Sequence, residues 1–269
     1  MLRAIARKVL PTPMRKKLSQ AFSSSSQVTI DYEPISAWPS VANGSSWTTS
    51  PVRARYKREV ETLPEESVEA ALQSPIVRDN VEVLAKTGLS KATLLDFGCA
   101  NGLYRRILRA VPATARWDYV GADVDAELIE WCRKMYPDAR FEILRGDRLP
   151  FGNGEFDIVL ASGVIQYIRD YITILSELHR ISKGYILVSR LPVWKHTNSQ
   201  VVVQHARHAW GEEHHPMHVL RADEMEALFE KLGSSILFHG SGSESYYVPG
   251  VSEPVVHNLY LLRKRASEP

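Results

Sequence analysis

Cysteine is scarce in this chain of 269 residues: two are present, Cys99 and Cys132, and they form no CxxC pair. That excludes a disulfide scaffold and a thiolate zinc site, and it leads us to expect a reducing, cytoplasmic compartment. No apolar run approaches the roughly 18 residues a membrane span requires. HExxH and other compact ligand sets are missing, so no metal is expected. The chain also lacks a GxGxxG fingerprint, and with it the pyrophosphate cradle of a dinucleotide site. Internal repeats and recognisable RNA-binding modules are absent too. The 33 Lys and Arg nearly balance the 31 Asp and Glu, which gives no reason to expect nucleic acid in a cleft.

Acid is missing altogether from residues 1–22, which hold Arg3, Arg7, Lys8, Arg15, Lys16 and Lys17 and leave the remainder of this +2 chain at −4. Leu2, Ile5, Val9 and Leu10 recur there at helical spacing, Pro11 and Pro13 interrupt, and Met14, Leu18 and Phe22 resume. A basic amphipathic segment over 1–30 is therefore expected. Three readings stay open: reversible contact with an anionic membrane surface, an organelle transit peptide, or a helix packed on the domain. Residues 31–74 read as an irregular arm and a helix, and Trp47 and Tyr56 are its candidates for lining an acceptor site. Apolar residues make up 44% of the chain and charged residues 24%, a composition that suits one large core.

The most informative stretch is Leu94 to Gly102, Leu-Leu-Asp-Phe-Gly-Cys-Ala-Asn-Gly. It reads as an apolar strand entering a glycine turn, with Asp96 at the junction. Gly98 lets the chain turn sharply, and Gly102 is expected to let the next helix start close against a ligand. A carboxylate in that position would repel a phosphate and attract a ligand bearing an ammonium and a sulfonium. Tyr119 to Asp125 then reads as a second strand ending in acids, and Asp123 stands about where an open α/β sheet places an acceptor for ribose hydroxyls. Asp125 suits the cap of the helix that follows. A third strand over Arg140 to Leu144 leads to Asp147, which could accept from an adenine amino group. A fourth strand, Ile158 to Ala161, runs into Ser162.

These segments, LLDFGCANG, YVGADVD, GDRLPFGNGEFDIV and SGVIQYI, together resemble the class I S-adenosylmethionine-dependent methyltransferases over about residues 75–190. The resemblance implies an α/β fold: a Rossmann-like, mostly parallel sheet of seven strands with a C-terminal antiparallel hairpin and helices on both faces, here over 75–269. It implies S-adenosylmethionine as cofactor. Asp96, Gly98, Cys99 and Gly102 would line its methionine side, Asp123 and Val124 its ribose and adenine, and Asp147 and Arg148 the adenine edge, with Ser162 and Val164 closing the pocket. Two departures stand out. Ala100 replaces a second glycine, and Gln166-Tyr167 replaces a histidine pair, which leaves these two as orienting contacts for the acceptor and the base unassigned.

Six of the nine histidines lie between His196 and His218. They fall in an insertion at about 192–221 that is expected to form a polar lid over the strand ends. His196, His214 and His215 are the candidate bases, because an imidazole titrates near neutrality. The absence of an NPPY-like tetrad turns attention from planar nitrogens to an oxygen of a small polar or glycan acceptor. The basic start, tryptophan-bearing arm and methyltransferase core are also similar to uncharacterised bacterial methyltransferases associated with surface polysaccharide assembly, which implies a glycan. The rival readings are a non-catalytic, cofactor-binding assembly or regulatory subunit, and an aminopropyl or other alkyl transferase.

Overall fold

A computed structural model describes residues 29–40, 46–61, 71–72, 74–208 and 211–265. The basic segment 1–22 and all but the last two residues of the helix expected over 65–72 fall outside them. In chain order the elements are β1 (Thr29–Ile35), α1 (Ser50–Glu61), α2 (Pro75–Ala85), β2 (Thr93–Phe97), α3 (Leu103–Ala110), β3 (Asp118–Asp123), α4 (Ala126–Met135), β4 (Arg140–Ile143) and β5 (Phe156–Ser162). They continue with α5 (Tyr171–Ile181), β6 (Ser182–Trp194), β7 (Gln200–His208), β8 (Gly211–Arg221), α6 (Ala222–Lys231), β9 (Ser234–Tyr246) and β10 (Val255–Lys264).

Seven strands form the expected sheet. They lie in the order β4-β3-β2-β5-β6-β10-β9, the first five parallel, with β10 antiparallel to both neighbours. Its central strands are continuous apolar runs because both faces are covered, and the two-residue alternation of strand side chains sorts them. Leu95, Val159, Ala161, Ile186 and Val188 pack with Leu175 and Leu178 of α5 and Phe229 of α6. Leu94, Ile158, Leu160 and Leu187 point the other way, onto Leu84 of α2 and Leu108 of α3. At α4 the Asp125 carboxylate accepts the Leu128 amide at 3.0 Å, an N-cap that the sequence indicates.

The strand order reverses between β2 and β5, and in an open α/β sheet the crevice beyond that switch point receives the ligand. Everything that follows is built there.

The structure departs from the sequence-based expectation in two places. The arm is not irregular: it contributes strand β1 and helix α1. The histidine-rich insertion, expected as a polar lid, is built as the β7-β8 hairpin, which β1 joins to make a three-stranded antiparallel sheet. This added sheet is tied to the main one where Val193 and Trp194 pair with Leu220 and Arg221. Alternation explains the histidines. His205 and His214 face outward, their Nδ1 atoms 2.7 Å apart, beside Arg207 and its partners Asp31 and Glu212. His215 and Glu213 face inward and are buried. A run of polar residues hid a strand because each outer polar side chain is solvated and each inner one has a charged or aromatic neighbour.

Candidate active site

A cavity of about 920 Å³ opens at the switch point. Asp96, Asp123 and Asp147, from the carboxyl ends of β2 and β3 and the turn after β4, all line it, as do Gly98, Cys99, Val124, Ser162 and Val164. The fold therefore gathers residues 68 positions apart into one lining. Gly98 holds φ at +75°, and a Cβ built there would lie 2.7 Å from Val164, so glycine is required for the β2 and β5 turns to close on each other.

Asp96 is buried and accepts the Tyr119 hydroxyl at 2.7 Å. Loss of water raises its carboxyl to about pH 7, the Tyr119 bond opposes the rise, and the nearby Asp123 charge adds to it. A carboxylate so placed gains from a cationic ligand. Asp123 accepts the Ala100 amide at 2.9 Å and the Asp125 amide at 3.1 Å. Burial raises its carboxyl too, while those backbone bonds pull the other way. A carboxylate has about four lone-pair sites, so Asp123 keeps acceptor capacity for hydroxyls. Ala100, in the place of a second glycine, holds φ at +46°. Its methyl is tolerated, but its backbone is strained.

Five expected contacts lie elsewhere. Gly102 does not line the cavity: at φ +69° its missing Cβ would meet the Tyr136 ring at 2.8 Å, so it serves the turn and the packing of α4. Arg148 is exposed and lends its charge to Glu177. Gln166 is buried in the short 3-10 turn Ile165–Tyr167, behind the lining. His196 and His214 are exposed, His196 donating its amide to Glu253 at 3.0 Å and His214 on the outer face of the added sheet.

Trp47, Tyr56 and Tyr167 do line the cavity. The Tyr167 hydroxyl donates to Gln204 at 3.0 Å, whose amide donates onward to Tyr32. Trp47 stacks on His215, ring centroids 3.7 Å apart and planes within 10°. His215 is thus one ring behind the wall. Its Nε2 meets Glu213 at 3.1 Å, and Glu213 also receives Arg55 at 3.3 Å. Burial holds the imidazole below its ordinary range even though Glu213 pulls upward.

Three residues that sequence reasoning missed belong to this site: Asn80, Tyr104 and Arg190. Asn80, fully buried, donates to Ser162 at 3.0 Å and to Tyr104, fixing two lining hydroxyls. Arg190 projects into the cavity from β6. Its signal was present: a lone charge inside the apolar run Ile186-Leu-Val-Ser-Arg-Leu-Pro-Val193.

A family model described as a methyltransferase domain matches residues 69–237, more than half the chain. The chain belongs to the methyltransferase-domain family. None of the curated proteins matches it. Among solved structures, the fold of this methyltransferase is similar to that of a Methanosarcina mazei S-adenosylmethionine-dependent methyltransferase, with 14% identity, a TM-score of 0.53, and coverage of 69% of this chain and 98% of that one. It is also similar to the Burkholderia thailandensis 1,6-didemethyltoxoflavin-N1-methyltransferase, solved with S-adenosylhomocysteine: 15% identity, TM-score 0.52, and coverage of 87% and 95%. The 4+2 cyclase SpnF matches at 15% identity and a TM-score of 0.52, over 71% of this chain and 82% of its own. At these identities the likeness is one of fold, and a cyclase among the neighbours illustrates that the fold alone does not name a reaction.

Family and geometry agree on the cofactor. Three carboxylates, two of them raised by burial, and an apolar wall of Val124, Leu144 and Leu149 fit S-adenosylmethionine. Asp96 would face its cationic end, Asp123 its ribose, and the Asp147 side its base.

Proposed function

We propose that this methyltransferase acts on an oxygen of a small polar or glycan acceptor. The observation that carries the reading is that one cavity is lined by two chemically distinct sets of residues, which we assign to a donor wall and an acceptor wall. Carboxylates at the strand ends form one. Trp47, Tyr56, Tyr167 and Arg190, delivered by α1's approach, the β5 turn and β6, form the other.

When bound, S-adenosylmethionine supplies an electrophilic methyl group on a sulfonium. The chain's own residues hold and orient. Asp96 and Asp123 grip the donor, Tyr167 is fixed in direction by Gln204, and the aromatic wall excludes water from the space between. Positioning of this kind is worth about 7–11 kcal/mol of barrier. Among the described residues no histidine lines the cavity. His215, oriented by Glu213, is the candidate base that the fold keeps close behind Trp47, and a tilt of that indole would bring its unpartnered Nδ1 to the wall. The same shortage of a lining base favours the second reading, a cofactor-binding subunit without turnover.

The test is to incubate purified protein with methyl-labelled S-adenosylmethionine and fractionated polar extracts or oligosaccharides. Label transferred to an acceptor, with S-adenosylhomocysteine released, supports methyl transfer. Tight cofactor binding with no transfer supports the subunit reading, and methylthioadenosine as product points to aminopropyl transfer. The basic start and any membrane-surface contact are tested by sedimentation with anionic vesicles before and after deletion of residues 1–22.

A further inference from the structure

Arg190 occupies an unusual position. Between Val188↔Tyr260 and Leu191↔Asn258, β6 places two residues opposite one of β10, a bulge. Arg190 is the second of these two and holds φ at 55°, in the left-handed region where a long side chain is rare. Strain of that kind persists only where the surroundings impose it, and it clusters at functional sites. The bulge turns the side chain out of the core and into the cavity. There its guanidinium lies against Gly163, whose φ is +67° and whose missing Cβ would stand 3.3 Å from an Arg190 nitrogen. Glycine at 163 leaves the guanidinium room.

Five aspartates line the same cavity, Asp96, Asp123, Asp125, Asp147 and Asp170, yet among the described residues none pairs with Arg190. Their bonds are made to others: Asp125 to Arg53 at 2.7 Å, Asp96 to Tyr119, Asp170 to Thr173. The groups that do feel the Arg190 charge are Tyr32, Tyr167, Tyr104 and His257, all neutral. Two of these four, Tyr32 and His257, stand on β1 and β10, on the acceptor side. An arginine whose planar fork matches a carboxylate or phosphate has here been kept free of both.

We propose that the acceptor is an acid, and that Arg190, solvent-accessible beside Gly163, binds its anionic group, a carboxylate or a phosphate. This rests on the two-walled reading of the cavity. Arg190 acts by orienting: it fixes one end of the acceptor so that a single oxygen faces the donor. It also lowers the cost of admitting an anion to a cavity rich in carboxylates, since a cationic donor and an arginine offset part of the local negative charge.

The full chain, saturated with S-adenosylhomocysteine, is titrated by calorimetry with glucuronate, with inorganic phosphate and with glucose. One of the two anions should bind at least tenfold more tightly than glucose, and which one does separates a carboxylate from a phosphate acceptor. Arg190→Gln should remove that preference, and Arg190→Lys should retain part of it, because the charge survives without the fork. Both variants should bind S-adenosylhomocysteine within threefold of the parent, which also shows that they fold. Equal binding of anions and glucose by the parent overturns the proposal. So does an Arg190→Gln protein that keeps the preference, or one that loses tenfold in S-adenosylhomocysteine affinity, since the arginine would then serve the cofactor's carboxylate. Anion selectivity in a protein that transfers no label to any acceptor would leave Arg190 as an anion site and remove only the catalytic reading.

Discussion

The two walls of the cavity are made in opposite ways. The carboxylate wall comes from short stretches in which a strand, a glycine turn and an acid follow one another directly, so that Asp96 is two residues from Gly98 and Asp123 two from Asp125. The facing wall is assembled from afar: Arg55 meets Glu213 across 158 positions, and Gln204 meets Tyr32 across 172. Local construction preserves a site for a shared cofactor. Remote construction lets the acceptor side vary without disturbing it, as loops on a rigid frame generally do.

If the walls are independent in this way, a lesion in one should spare the other. The largest effect is expected at Glu213. Glu213→Gln leaves Arg55 and His215 without their carboxylate, and breaking a buried pair costs about 3 kcal/mol at the low end of the usual range. The low end applies because Arg55 is a fifth exposed. Thermal denaturation should show the loss while S-adenosylhomocysteine affinity holds. A large drop in that affinity would show the walls to be coupled.

Asp123→Ala is the converse lesion. It removes the ribose acceptor and the partner of the Ala100 amide, and should weaken S-adenosylhomocysteine binding by about 1–3 kcal/mol. Calorimetry that found unchanged affinity would dissolve the carboxylate wall as a cofactor site.

The pH dependence sharpens the comparison further. The folded-state carboxyl of Asp96 titrates near 7, against 3.8 for the unfolded chain. The folded state therefore keeps its proton over the interval in which the unfolded chain gives one up. The contribution of Asp96 to stability is full below about pH 4, falls as pH rises toward 7, and is level above that. Binding of a cation should strengthen over the same interval. Asp96→Asn should flatten both profiles, and a variant that keeps the parent's slope would reassign the titration.

The smallest effect is expected at Ala100. Replacing it with glycine relieves the left-handed strain, about 1–2 kcal/mol, and loosens the unfolded chain by about 0.4–1 kcal/mol. A net gain below about 1 kcal/mol should appear as a small rise in melting temperature. A fall would mean that the alanine methyl makes contacts worth more than the strain.

How much of this was legible beforehand follows the same division. The strands Leu94 to Phe97 and Ile158 to Ala161 declared themselves by continuous apolar runs, and the cap at Asp125 by its place before a helix. Gly102 was read as a ligand contact because its spacing suits one, and only the Tyr136 ring shows what its bare backbone accommodates. The histidines misled because their alternation, His214 outward and His215 inward, belongs to β8, in a sheet that β1 completes by pairing with β7 across about 170 residues. Arg190 carried a signal, a charge in an apolar run, but its direction depends on a bulge set by β10.

Sequence alone determined the order of strands and turns from β2 to β6, the glycine at Gly98, and the three acids at strand ends, because each depends on neighbours within a few residues. The tertiary structure decided which side chains those acids face, that a polar insertion becomes a sheet, and that Arg190 has no carboxylate partner among the described residues. Those outcomes require contacts between segments far apart in the chain, and such contacts exist only once the core has closed and excluded water between them.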